Sequence, residues 1–163
     1  KNESRLIIPF FDKFGRLIML QGRNFDETGV RYISVRNSET AEKIYGLDRV
    51  DKTKLVYVCE GPLDSLFIKN CVATADIDLL RCAFGDVFIY DAQYRNTQVC
   101  KNISKAIKLG KQVVLFPPSF KFKDINEAIK AGWKQGDIMS LIRERTFQGL
   151  YAELEFMKLR KCL

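Results

Sequence analysis

Hydrophobic and polar residues follow two different periods along the chain, and the change of period divides it into three parts. In residues 1–52, short apolar runs separated by turns predict strands at 5–11, 16–21 and 31–35, the first two joined by a turn at 12–15. Several arginines interrupt these runs. The pattern indicates a small mixed α/β basic subdomain.

Residues 53–131 alternate strand-length apolar runs with helical patterns. The runs end near residues 60, 91 and 116, and the helical patterns lie near 62–71, 76–83, 95–109 and 124–131. Strands that alternate with helices favour a parallel or mostly parallel sheet flanked by helices, which is an α/β fold.

Residues 132–163 are predicted to form C-terminal helices. Apolar residues recur here at helical spacing; they are Phe147, Leu150, Tyr151, Leu154 and Met157. The spacing predicts an amphipathic helix that docks against the preceding domain or against a partner.

Acidic residues close two of the apolar runs in the middle part. Glu60 ends one run, Asp91 ends the next, and Asp124 opens the helical pattern that follows a third. Ligands of such sheets bind at the carboxyl ends of the strands, so Glu60 and Asp91 are expected to be neighbours. Three carboxylates at one sheet edge indicate a divalent metal. An acid in a first helical turn, such as Asp64 or Asp124, also serves as a cap, and this alternative stays open.

Composition narrows the chemistry. The chain has five cysteines without a C-x-x-C pair and no histidine, which argues against a zinc site and a disulfide framework. Carboxylates, lysines and arginines remain, and these suit Mg²⁺ and phosphates. The net charge of +7 favours nucleic acid only weakly. No apolar run approaches the roughly 20 residues that span a bilayer, so we expect a soluble protein without a membrane partner.

Lysines also occupy the helix predicted at 95–109. Lys101, Lys105 and Lys108 lie away from its apolar positions. A solvated helix face is the favoured interpretation of these lysines, and a binding stripe is the alternative.

Three segments resemble the motifs of the topoisomerase-primase (Toprim) fold: residues 60–64, the strand that ends at Asp91, and residues 123–127. Shorter matches before them resemble the basic subdomain of DnaG-type primases; they are residues 8–10, 15–16, 21–23, 31–33 and 43–46. Together with Gln148 to Leu150, the chain most resembles the primases of T-even bacteriophages. The resemblance covers nearly all of the chain.

The resemblance implies a primase catalytic core that makes short RNA primers on a single-stranded DNA template. It implies catalytic acids at Glu60, Asp91 and Asp124, with Asp64 completing a metal site for Mg²⁺ or Mn²⁺. It assigns contacts with template or nucleotide phosphates to Arg23, Arg31 and Lys43. Nucleoside triphosphates and a replicative helicase are the implied partners, and the host cytoplasm is the implied location.

The sequence departs from the family pattern at two positions beside this site. The second motif normally carries two acids separated by one residue, but Gln93 stands where the second acid is expected. Residues 74–76 replace the glycines that usually follow the second strand. The cysteine-rich zinc-binding domain that normally opens such primases is also missing, which we interpret as a processed or truncated chain.

These departures leave other functions open. One alternative is a catalytically weakened Toprim protein that binds nucleic acid or replication proteins. Another is a Toprim nuclease, in which the same acids activate water. A topoisomerase would need a tyrosine-bearing domain for which this length has no room.

Overall fold

The structure is a computed structural model that describes residues 3–26, 29–37 and 42–162. Its first unit is an antiparallel sheet with the strand order β1-β2-β3. The strands are β1 (Arg5–Phe11), β2 (Leu17–Asn24) and β3 (Tyr32–Arg36). Asp12 sets the β1–β2 turn because its Oδ1 accepts hydrogen bonds from two backbone N–H groups of that turn. Of the predicted loop 26–29, residues 27 and 28 lie outside the described residues.

The second unit is a five-stranded sheet with helices on both faces, in the order β5-β4-β6-β7-β8. Its strands are β4 (Tyr57–Cys59), β5 (Cys71–Ala73), β6 (Val87–Ile89), β7 (Gln112–Val114) and β8 (Thr146–Phe147). Its helices are α1 (Pro62–Ser65), α2 (Thr97–Lys108), α3 (Ile125–Lys130), α4 (Gln135–Glu144) and α5 (Gly149–Leu159). β4 to β7 are parallel and β8 is antiparallel, which confirms the mostly parallel sheet.

Alternate residues of each parallel strand supply two separate cores. Val58, Phe88 and Val113 pack on the side covered by α2 and α5. Cys59, Ile89 and Val114 pack on the other side, against α3 and α4. Because both faces of the sheet are buried, these strands are apolar without alternation.

The two units meet through a small apolar joint. Ile8, Phe10 and Met19 of the first sheet pack near Leu63 and Ala75 of the second unit. The ring of Phe10 lies edge-on to that of Tyr45, 5.3 Å between centroids. Tyr45 in turn exchanges two backbone hydrogen bonds with Ala73, the last residue of β5. The basic sheet is therefore attached at the β5 edge, beside the carboxyl ends of the strands.

Two of the predicted helices are much shorter than expected. α1 ends at Ser65 instead of reaching residue 71, because the chain must turn into β5. Asn70 makes this turn in a left-handed conformation, with φ 49°. The helix predicted at 76–83 is a single 3₁₀ turn, Leu79–Arg81. Here Thr74 and Asp76 bond to nearby backbone groups, which stabilises a loop instead of a helix.

The sequence pattern predicted only helices in the C-terminal part, but the structure also has a short strand there. Between α4 and α5, β8 pairs with the edge strand β7, with Val113 opposite Phe147. A strand of two residues is too short to produce a periodic signal. The C-terminal part therefore completes the main sheet.

The predicted amphipathic helix is present as α5, but its packing differs from the apolar pattern. Leu150, Tyr151 and Met157 are exposed, whereas Ala152 and Phe156 pack against the sheet. The contact face is formed by Ala152, Phe156 and Leu159, the buried residues of α5. Among the described residues, neither α5 nor any other helix is long and apolar enough to cross a membrane.

Ala75 offers a test of backbone strain, since it adopts φ 49° without a side-chain hydrogen bond. A left-handed alanine costs about 1 kcal/mol relative to glycine, so Ala75→Gly should raise the free energy of unfolding by up to about this amount. Asn70→Gly is the control. It has the same φ but loses hydrogen bonds to Asp51 and Leu55, so it should destabilise. Urea unfolding measures both, and a destabilised Ala75→Gly would mean that methyl packing outweighs strain.

Candidate active site

Glu60 and Asp91 are neighbours because they follow adjacent parallel strands. Cys59 of β4 lies opposite Ile89 of β6, so the residues beyond them leave the sheet at the same edge. The backbone N–H of Asp91 donates a hydrogen bond of 3.2 Å to Glu60 Oε1. The structure thus brings together the two strand-terminal acids, as expected from the sequence.

Asp64 approaches the same edge from α1. Its Oδ1 accepts a hydrogen bond of 2.7 Å from the backbone N–H of Asn126, which joins it to the start of α3. A Cβ at position 61 would lie 2.2 Å from Asp64 Oδ2, so only glycine leaves room for this carboxylate. Gly61 therefore determines how closely Asp64 can lie to the turn after β4.

Asp124 is the N-cap of α3. Its Oδ1 accepts a hydrogen bond of 2.8 Å from the backbone N–H of Glu127, while Glu127 Oε2 accepts one from the backbone N–H of Lys123. The capping role left open by the sequence is present. It is compatible with a second role because Asp124 also lines the cavity shared by the other acids.

All four carboxylates line one cavity of about 10 Å³. Burial and the neighbouring Asp91 raise the pKa of Glu60 to about 8. Burial and the neighbouring Asp124 raise the pKa of Asp64 to about 7. Burial also raises the pKa of Asp91, against the opposing effect of Lys123. The protein holds these acids where their negative charges disfavour one another.

This donor set fits a divalent hard cation. Carboxylate oxygens are the preferred ligands of Mg²⁺, and a positive ion would relieve the repulsion that raises these pKa values. Within the part of the chain that the structure describes, no three acidic or cysteine side chains already stand in metal-binding geometry. Binding therefore requires small side-chain rotations in the shared cavity.

Two side chains donate to Asp91, and one of them, Gln93, stands where the family pattern places a further acid. The amide Nε2 of Gln93 donates to Asp91 Oδ2 at 3.0 Å, and Lys123 Nζ lies 3.4 Å from the same oxygen. Lys123 is held in place by a hydrogen bond of 2.8 Å from the backbone N–H of Ala92 to its carbonyl oxygen. Gln93 thus presents its amide NH2 group to Asp91, and this group has no lone pair available for a metal ion.

The basic residues predicted to bind nucleotides lie across a cleft from the acids. A cleft of about 350 Å³ is lined by Arg23, Arg31 and Lys43 on one side and by the four carboxylates on the other. Tyr32 lies between the two arginines, with their guanidinium carbons 5.9 and 5.8 Å from its ring centroid. All three predicted cations therefore face the candidate metal site.

Tyr32 and Lys123 also line the cleft, although the sequence pattern assigned no role to either. Lys123 precedes Asp124 directly, so its place within the third motif was the available signal. For Tyr32 the signal was its place within the match at residues 31–33, because an aromatic residue in a strand is by itself ordinary.

The unusual segment 74–76 also contributes to this cleft through Ala75 and Asp76. Ala75 adopts a left-handed conformation, which glycine adopts more easily.

The fold is that of the DnaG-type primase catalytic core. The structure of the Aquifex aeolicus primase, with zinc-binding and RNA polymerase domains, superposes with a TM-score of 0.64 over 88% of this chain and 41% of that one, at 22% identity. The E. coli primase catalytic core gives 0.64 over 95% of this chain and 56% of that one, at 18% identity. A DnaG catalytic domain bound to single-stranded DNA gives 0.60 over 86% and 51%, at 18% identity.

The sequence is homologous to the DNA primase of Enterobacteria phage T4, with 35% identity over 98% of this chain. This confirms the resemblance to the DnaG-type and bacteriophage primases. The chain spans about half the length of that relative, 48%. No protein-family model matches the chain.

Replacing Glu60 separates a metal-binding role from a structural one. Glu60→Gln should leave the melting temperature in metal-free buffer unchanged or higher, because glutamine mimics the protonated acid and keeps the acceptor for Asp91 N–H. The rise in melting temperature on adding Mg²⁺ should be lost. Thermal unfolding with and without Mg²⁺ measures both effects. A large loss of stability without metal would make Glu60 structural.

The raised pKa values predict that folding stability without metal falls as pH rises, whereas the affinity for Mg²⁺ increases. Glu60 and Asp64 have pKa values of about 8 and 7 in the folded state, against 4.5 and 3.8 ordinarily. Without metal, the folded state binds more protons, so stability should fall as pH rises from about 4 to about 8. Mg²⁺ affinity should rise towards pH 8, with proton release on binding. Calorimetry in two buffers of different ionisation enthalpy measures this release, and its absence would place the bound ion elsewhere.

Proposed function

We propose that this chain carries the nucleotidyl-transfer centre of a DNA primase, which joins ribonucleotides on a single-stranded DNA template. One observation carries the proposal: four partly buried carboxylates face Arg23, Arg31 and Lys43 across a single cleft. Metal ions and triphosphates require these two walls, one negative and one positive.

In this proposal Glu60, Asp64, Asp91 and Asp124 hold Mg²⁺, with Mn²⁺ as a substitute. The bound ion lowers the cost of deprotonating the attacking 3′-hydroxyl and neutralises charge on the departing pyrophosphate. The remaining work belongs to the protein side chains. The Glu60 carboxylate is pre-oriented by the backbone N–H of Asp91, and the Asp64 carboxylate by the backbone N–H of Asn126 at the start of α3.

The opposite wall binds the polymers and the nucleotide. Arg23 and Arg31 offer planar guanidinium groups for bidentate phosphate contacts, and Lys43 offers a point charge. Tyr32 lies between the two guanidinium groups, and its ring supports them by cation–π contacts. A homologous DnaG domain whose structure contains single-stranded DNA supports this assignment of the template. A replicative helicase is the further proposed partner, in the host cytoplasm.

One observation favours a second candidate, a protein that has kept the fold for binding while catalysis has weakened. Gln93 and Lys123 both occupy Asp91 Oδ2, so a metal ion has one acid fewer and one competing cation nearby. At about 4 Å and an effective dielectric near 20, one charge is worth about 4 kcal/mol before desolvation. The two candidates differ in whether the four remaining acids suffice.

Primer synthesis distinguishes them. With labelled ribonucleotides, single-stranded DNA and Mg²⁺ or Mn²⁺, the unchanged chain should make primers, and Glu60→Gln should not. Gln93→Glu restores an acid beside Asp91 and should raise the rate by roughly tenfold or more, about 1.4 kcal/mol of barrier. Gln135→Glu, at the exposed start of α4, is the matched control and should change nothing.

The outcomes of this experiment are distinct. Synthesis only after Gln93→Glu would establish the second candidate. No synthesis by any variant, with the DNA degraded instead, would identify a nuclease and overturn the proposal.

A further inference from the structure

The positive charge of the chain is concentrated between two of the candidate metal ligands. Residues 92–123, between Asp91 and Asp124, contain seven lysines and arginines and no aspartate or glutamate. Their charge of +7 equals the net charge of the whole chain, because basic and acidic residues are equal in number outside this segment. Solubility alone does not require such segregation of charge, because a surface with interspersed positive and negative charges is equally soluble.

Part of this charge lines a groove outside the cleft. The groove has a volume of about 550 Å³ and lies between α2 and the C-terminal residues. Its cations are Lys101, Lys105, Lys108 and Arg160. None of these side chains has an ion-pair partner or a hydrogen bond within residues 3–26, 29–37 and 42–162. The groove therefore presents four uncompensated positive charges.

The lining of the groove also includes apolar surface, from residues such as Cys100 and Leu109. Leu109 is 60% exposed. Apolar surface beside a row of cations suits the sugars and phosphates of a nucleic-acid strand.

A second concave surface lies beside the groove, on the loop that follows Asp91. The backbone N–H of Lys161 donates a hydrogen bond of 2.9 Å to the carbonyl of Tyr94, which holds the C-terminal residues against this loop. Arg95 and Lys161 line the second surface together with Gln93. Gln93 itself bonds to Asp91. A strand that ran from the cleft to the groove would pass these two cations.

We propose that the groove binds the sugar–phosphate backbone of a single-stranded nucleic acid that extends from the cleft. α2 is about 18 Å long, and Lys101, Lys105 and Lys108 follow one side of it for about 10 Å, enough for several phosphates. Lysines at helical spacing provide charge without reading bases, so binding is independent of sequence. Template DNA and nascent RNA share this backbone. The inference rests on the proposed function, which supplies both strands.

The test compares oligonucleotides that reach the groove with ones that fill only the cleft. Labelled single-stranded DNA and RNA of about 6 and about 20 nucleotides are titrated over a range of salt concentrations. The triple variant Lys101→Gln, Lys105→Gln, Lys108→Gln should make the salt slope for the longer strand shallower by about 2, near 0.7 per lost phosphate contact. Its slope for the shorter strand should be unchanged.

Two control variants have defined outcomes. Lys101→Arg, Lys105→Arg, Lys108→Arg retains the charge and should retain the slope. Lys52→Gln, Lys54→Gln, Lys69→Gln removes as many exposed lysines from loops leading into β4 and β5, at the edge of the sheet opposite the acids. It too should retain the slope.

The strand whose salt slope changes in the glutamine variant identifies the occupant of the groove. A change with DNA alone indicates the template, and a change with RNA alone indicates the product. A change with both indicates that the two strands share the groove. An unchanged slope for both long strands would overturn the groove proposal while leaving the cleft intact. Failure of the proposed function would appear separately, as absent primer synthesis together with short-strand binding that Arg23→Ala does not weaken.

Discussion

The mutual repulsion of four partly buried carboxylates is the constraint on which the candidate site depends. Proteins seldom bury acids together, because burial and like charge both disfavour ionisation. Here the backbone offsets this cost by directing N–H groups at three of them: Asp91 N–H to Glu60, Asn126 N–H to Asp64, and Glu127 N–H to Asp124. The parallel register of β4 and β6 and the start of α3 therefore do more than position side chains. They keep a costly charge cluster in place.

The positive side of the cleft is supplied by a separate unit. A small antiparallel sheet carries Arg23 and Tyr32 in register on adjacent strands, with Arg31 directly before β3. Because the sheet is joined to the edge of β5, its inner face is directed over the carboxyl ends of the main strands. Opposite charges are thus brought near each other by two units, and among the described residues no cation of the first sheet forms an ion pair with one of the four acids. A cleft with unpaired walls is available to a ligand that carries both metal and phosphate.

The sequence predicted the features that depend on single positions or long periodic runs. The acids at the strand ends, the hairpin of the first sheet and the buried face of α2 all follow from local pattern. The lengths of α1 and the 3₁₀ turn at 79–81 did not follow, because Asn70 and Thr74 redirect the chain through hydrogen bonds that no periodicity reports. The solvent-facing side of α5 is also a tertiary result, since its buried residues differ from those of the apolar pattern. Lys123 gains its role only from its distance to Asp91.

The apolar joint between the two sheets sets the width of the cleft. Phe10 against Tyr45, and the backbone pairing of Tyr45 with Ala73, are contacts without formal charge. Ionic strength and pH therefore alter how strongly the cleft attracts a ligand, while the separation of its walls stays governed by packing. Charged side chains thus govern the affinity of the cleft for a ligand, and apolar packing governs its width. Substitutions can therefore change the two properties separately: surface charges alter the affinity, and the volumes of a few buried side chains alter the width.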